Sequence, residues 1–185
     1  MELTLHYQGA LKSNGSSAHK QEIRRHFHGQ LRTLWTQKPL ELDKQPGLLY
    51  PRPSDEGGRI VERGAFSWAP LVREGEHVFA DLHVTWLRDG PPGAIVHSAD
   101  IDNRLKTLFD ALQIPPAPNA IPSDDLPRDG EDPFFVLLED DKLIARVSIE
   151  TDQFLTPGAS KNDVVLLVHA RTRVQGVRWD NAVWA

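Results

Sequence analysis

From Glu76 to Leu87 the side chains alternate in character: Val78, Ala80, Leu82, Val84 and Trp86 on one parity, Phe79, Asp81, His83 and Thr85 on the other. Successive side chains of an extended chain point to opposite faces, so this run is a strand with one buried and one more polar face. Such a strand belongs at the centre of a sheet that helices cover on one side. Asp81 and His83 then read as part of the polar face rather than as a metal pair. The helical cover is legible in two places. Ile23, Phe27, Leu31, Leu34 and Trp35 draw one apolar stripe through residues 17–37, and Leu105, Leu108, Phe109 and Leu112 draw another.

Further strands are expected at Glu2 to Tyr7, near Arg59 to Val61, from Phe66 toward Val72, at Phe134 to Leu138, at Leu143 to Ile149, and around the apolar run Val164 to Val168. In the stretch ending at Ile149, Leu143, Ala145, Val147 and Ile149 share one face. The fold class that follows is α+β: a mixed sheet with two main helices packed on one face, in one domain spanning 1–185. Irregular insertions fall at about 39–64 and 114–133. The second holds six prolines with Asp124, Asp125, Asp129, Glu131 and Asp132, and too little apolar content to pack well.

The chain has 185 residues and no cysteine, which excludes disulfides and thiolate zinc sites and suits a reducing, cytoplasmic setting. No signal peptide pattern or membrane-length apolar segment is evident, so a membrane role is not expected. The net charge of −5 argues mildly against a polyanionic partner. Its distribution argues the other way. Lys12, Lys20, Arg24, Arg25, Arg32 and Lys38 crowd the first 38 residues against only Glu2 and Glu22, and Arg24, Arg25, His28 and Arg32 fall off the apolar stripe of the first helix. That face reads either as a solvated surface or as a support for a phosphate backbone.

The chemistry concentrates between Ala99 and Gln113. Ala94-Ile95-Val96 reads as the end of a strand, after which Asp100 and Asp102, two apart on extended backbone, look the same way; Asp102 or Asn103 then caps the second helix. Lys106 and Asp110 follow at spacings of four along the helix. Two converging carboxylates repel unless a cation lies between them, and hard divalent ions take oxygen ligands of this kind. Lys106 adds a mobile positive charge for a phosphate oxygen or a water. Downstream, Glu139-Asp140-Asp141 sits between two strand-like runs and reads as the turn of a hairpin, from which Asp140 or Asp141 would close the metal site. Taken alone, Asp-x-Asp more often caps or is merely solvated.

At these residues the sequence resembles the RusA-type Holliday junction resolvases, whose pattern Asp-x-Asp-Asn-x-x-Lys-x-x-x-Asp-x-Leu, with a later Asp-Asp, is matched by Asp100, Asp102, Asn103, Lys106, Asp110, Leu112, Asp140 and Asp141. The resemblance implies a homodimeric endonuclease that cleaves branched DNA with Mg²⁺ or Mn²⁺. It implies Asp100, Asp102 and Asp141 as metal-binding carboxylates, Asp140 as a less favoured fourth, and Lys106 as the catalytic lysine. It also places Asn14, in the loop after the first strand, near DNA; Lys12, Lys20, Arg24, Arg25 and Arg32, read from the charge distribution, are the candidate nucleic-acid contacts beside it. The long 114–133 segment departs from the family pattern and reads as a lid, a docking segment, an acidic screen or a tolerated insertion. The competing functions are a non-cleaving nucleic-acid-binding or regulatory protein on the same fold, and a metal-dependent phosphodiesterase acting on RNA or nucleotides.

Overall fold

The computed structural model describes residues 1–49, 58–90, 99–156, 160, 162–178 and 181–184, without the side chains of residues 99 and 100. Among the described residues there are seven strands and two long helices, an α+β arrangement. Strand β1 (Glu2–Ala10) leads into helix α1 (Ser17–Thr36), then come β2 (Val61–Arg63), β3 (Phe66–Val72), β4 (Val78–Arg88), helix α2 (Ala99–Leu112), β5 (Phe134–Leu138), β6 (Ile144–Gln153) and β7 (Asp163–Val174). Four strands form one sheet in the order β1-β7-β4-β6, and three form a second in the order β2-β3-β5. The β3–β5 and β4–β6 pairs are parallel, and the β1–β7, β4–β7 and β2–β3 pairs antiparallel.

The alternation of β4 has the predicted outcome. Val78, Ala80, Leu82, Val84 and Trp86 are all buried, and β4 lies between β7 and β6. On the other face Asp81 pairs with Arg173 and His83 bonds Ser148. Ile23, Phe27, Leu31 and Trp35 of α1 join the inward residues of β1, β4 and β7 in one apolar cluster, which also takes Leu108 and Leu112 of α2. Both helices thus cover the same core. The apolar run of β7 is interior in the sheet order, but only Val164, Leu166 and Val168 turn inward; Leu167, on the open face, is 42% exposed.

Four expectations change. Helix α2 begins at Ala99, so Asp102 and Asn103 lie inside it and do not cap it, and the extended-backbone argument for Asp100 beside Asp102 does not hold. The expected strand at Ala94 to Val96 lies outside the described residues. The acidic triplet is not a hairpin turn: β5 pairs with β3 in the small sheet and β6 with β4 in the large one, so residues 139–143 step between sheets. Residues 73–77 make the same step between β3 and β4, and Glu139 is bonded to that crossing through Val72 and Glu74. Finally, Ala145 and Val147 are exposed: the register shift at Ala80/Asp81 leaves Ala145 unpaired in a bulge, and Val147, opposite Leu82, lies on an edge strand.

The Pro-rich segment is packed, contrary to its composition. Ile114 and Ile121 enter a second apolar cluster with Phe66, Trp68, Phe134 and Val136, and Glu131 is buried. The tail is fastened likewise: Trp184 is fully buried, meets Trp35 edge to face and lies under the Arg59 guanidinium.

Candidate functional site

Helix α2 carries the centre of the site because its apolar stripe faces the core and leaves the opposite side to polar residues. Asp102 and Lys106 are exposed on successive turns, and Asp110, one turn further, is partly covered. Arg104, buried, anchors the start of the helix by donating to the Leu11 carbonyl at 3.0 Å and to Asn162 Oδ1 at 3.0 Å. The loop before α1 is pinned to the same helix through the Gly15 N–H, which donates to Thr107 Oγ1 at 3.0 Å. A Cβ at Gly15 would lie 2.8 Å from both Thr107 and His19, so this approach requires glycine. Asn14, beside it, is exposed at φ 51°, a left-handed conformation that asparagine tolerates. The structure therefore brings the Asn14 loop alongside α2.

Asp141 reaches α2 from the end of β5. It opens a single helical turn, Asp141–Leu143, capped by Asp140, whose Oδ1 accepts from the Lys142 N–H at 2.9 Å. The Asp141 N–H donates to Gln113 Oε1 at 2.7 Å. Burial raises the Asp141 carboxyl above the usual carboxylate range; the charges of Asp140 and then Asp110 raise it further, while Lys106 opposes them. Electrostatically, then, Asp141 belongs with Lys106 and Asp110, about thirty positions earlier. Crowding of this sort stabilises either a proton or a bound cation.

Asp110 is already engaged. Lys20 of α1 meets its Oδ2 at 2.6 Å, and Gln113 Nε2 approaches Oδ1 at 3.4 Å. Among the described residues no three His, Asp or Glu groups stand close enough to hold a metal ion, so Asp102, Asp140 and Asp141 do not form a closed centre by themselves. The donor chemistry of Asp141 suits a divalent cation; the side chain of Asp100, expected beside it, lies outside those described.

The basic face of α1 is mostly committed elsewhere. Arg24 is 2% exposed; its guanidinium donates to the carbonyls of Gln113 at 3.1 Å and Asp110 at 2.6 Å and lies over the Trp68 ring. Burial lowers its pKa to about 10, which leaves it charged at neutral pH. Arg25 meets Glu131 and Asp125, each at 2.8 Å. His28 is buried, with Nδ1 accepting from the Phe135 N–H at 2.9 Å. These three were expected off the core stripe; the 114–133 segment and the end of α2 cover them instead. Lys12 and Arg32 remain exposed. A groove of about 450 Å³ at the start of α1 is lined by Lys12, Arg25 and Arg128 but equally by Glu22, Asp124 and Asp125, a balance that does not suit a polyanion.

One contributor escaped the sequence reading. Asp110 was legible on the line of Lys106, four residues on, though it was given no role in the site; Gln113 had no signal beyond following the last apolar residue of the helix. Compared with protein-family models, curated proteins and solved structures, the chain matches none.

Proposed function

We propose that the chain is a metal-dependent phosphodiesterase of the RusA type that cuts branched DNA as a homodimer. The observation that supports it best is that the Asp141 turn is tied to the end of α2, its N–H donating to Gln113 Oε1 at 2.7 Å while Gln113 Nε2 approaches Asp110 Oδ1 at 3.4 Å. A lysine on the same helix as carboxylates is a setting in which a divalent cation and a phosphate both gain. Asp100, Asp102 and Asp141, with Asp140 beside them, are the residues that would hold Mg²⁺ or Mn²⁺. Such an ion supplies charge neutralisation at phosphorus and a more acidic water. Lys106, exposed on α2, holds a non-bridging phosphate oxygen and offsets charge that builds up as the nucleophile adds. Asp141 orients what Lys106 attracts.

A second reading, a phosphodiesterase for RNA or nucleotides, is favoured by the engagement of Lys20, Arg24 and Arg25 within the protein, since a smaller substrate needs fewer free cations. A panel of four-way junction, flap, duplex, single-stranded RNA and nucleotide, each with Mg²⁺ and Mn²⁺, separates the two. Asp102→Asn is expected to abolish metal-dependent cutting of the preferred substrate while binding persists. Undiminished cutting by that variant refutes the assignment, and binding without cutting by the unaltered chain points to a non-cleaving protein.

A further inference from the structure

Gln113 is the buried polar side chain that joins the two halves of this site. It is 6% exposed, and its backbone is held by a bridge to Leu138, by the neighbouring Ile114 N–H donating to the Leu138 carbonyl at 3.1 Å, and by Arg24 Nε donating to its own carbonyl at 3.1 Å. With the main chain so fixed, the carboxamide has little freedom. The Asp141 N–H demands an acceptor, so the oxygen points to Asp141 and the amide nitrogen must face Asp110. Both ends of one amide therefore terminate on residues that carry carboxylates of the site. A carboxylate here would oppose Asp110, and an ammonium would have nothing to offer the Asp141 N–H.

We propose that Gln113 is a positioning residue: its carboxamide sets Asp141 against Asp110 across the α2–β5 junction, so that the Asp141 carboxylate is presented to a divalent cation. The inference rests on the metal-dependent reading above and adds to it a residue that touches neither cation nor substrate. Groups that orient metal ligands typically contribute ten- to a hundredfold in metal affinity. Gln113 differs from a purely structural helix-end residue in where its bonds go.

The test uses the full chain and Mn²⁺ calorimetry, with the Asp141 amide followed by NMR hydrogen exchange. Gln113→Met fills the same space without an acceptor; Gln113→Asn keeps the amide but withdraws it by one methylene. Each is expected to lower Mn²⁺ affinity about tenfold or more and to speed exchange at the Asp141 N–H. Gln113→Glu, which restores an oxygen for that N–H, is expected to slow the exchange again. Should the Met variant fail to fold, the Asn variant decides. Unchanged affinity in a folded Met or Asn variant, where Asp141→Asn lowers it, overturns the role of Gln113 and leaves the metal reading standing. If Asp141→Asn binds Mn²⁺ as the unaltered chain does, the metal reading itself fails, and the positioning role with it.

Discussion

Replacing Glu131 by Gln changes one atom in a carboxylate that the Pro-rich segment buries against α1. Glu131 accepts from Arg25 Nε at 2.8 Å and NH2 at 3.2 Å, and from the Arg128 N–H at 3.0 Å, with its side chain 8% exposed. The glutamine keeps the volume and one acceptor oxygen, but turns its amide nitrogen toward donors. Of the three bonds, the amide oxygen keeps those on one side only and loses their ionised acceptor, while the amide nitrogen sets a donor against a donor on the other side. Charge-assisted bonds contribute about 1.5–3 kcal/mol each, and Arg25 keeps Asp125 as a counterion, so the expected net loss is about 2 kcal/mol. For a chain of this length that corresponds to a fall in Tm of about 4–8 °C. Urea unfolding at pH 7 measures it. The sign of the pH dependence follows from the carboxyl itself. Burial alone would raise its pKa, but the Arg25 and Arg128 hydrogen bonds overcome this and hold it below the ordinary glutamate value. A depressed carboxyl stabilises the fold above its unfolded pKa of about 4.3 and loses that contribution as the pH falls through the folded value. The gap between Glu131→Gln and the unaltered chain should therefore close in strong acid. A difference under about 0.5 kcal/mol at pH 7, well below the charge-assisted range, would refute the claim that this segment is fastened by the ion pair.

His28 gives a second pH signal. Burial, the largest cause, lowers its pKa, and its Nδ1 must stay unprotonated to accept the Phe135 N–H. Its contribution is complete above about pH 6.5 and is lost as the pH falls from there toward the folded value, so His28→Phe should flatten the stability profile between pH 7.5 and 5; an unchanged slope contradicts the assignment. Arg24→Met leaves the last carbonyls of α2 without their donor and is expected to cost about 2–4 kcal/mol in urea unfolding, a range set by the loss of a buried charged hydrogen-bonding group. A midpoint equal to the unaltered chain's would show that Arg24 does not anchor the helix.

The elements that packing alone specifies were open to reading. The period of β4 and the stripes of α1 and α2 say which atoms leave water, and those residues are the buried ones. Asp81 and His83 likewise went to the open face. Misreadings arose where a polar group's partner lies far along the chain. Arg24 and Arg25 have the composition of a free basic face, yet Gln113, Asp125 and Glu131 receive them from about 90 to 106 positions away. The same holds for Glu139 to Asp141: a short acidic run between two strands has the pattern of a hairpin, and only the pairing of β5 with β3 and β6 with β4 shows that it steps between sheets.

By itself the sequence determined the two helices, most of the strands, the inward faces of α1, α2 and β4 and the placing of Lys106 and Asp110 on one side of α2, because burial follows a period that local residues record. Only the tertiary structure decided that Asp141 comes to the end of α2, that Gln113 joins it to Asp110, and that Arg25 is spent on acids of the 114–133 segment and Lys20 and Arg24 on the end of α2. Ion pairs and hydrogen bonds need a partner at contact distance, and no period in the chain encodes which distant residue arrives there.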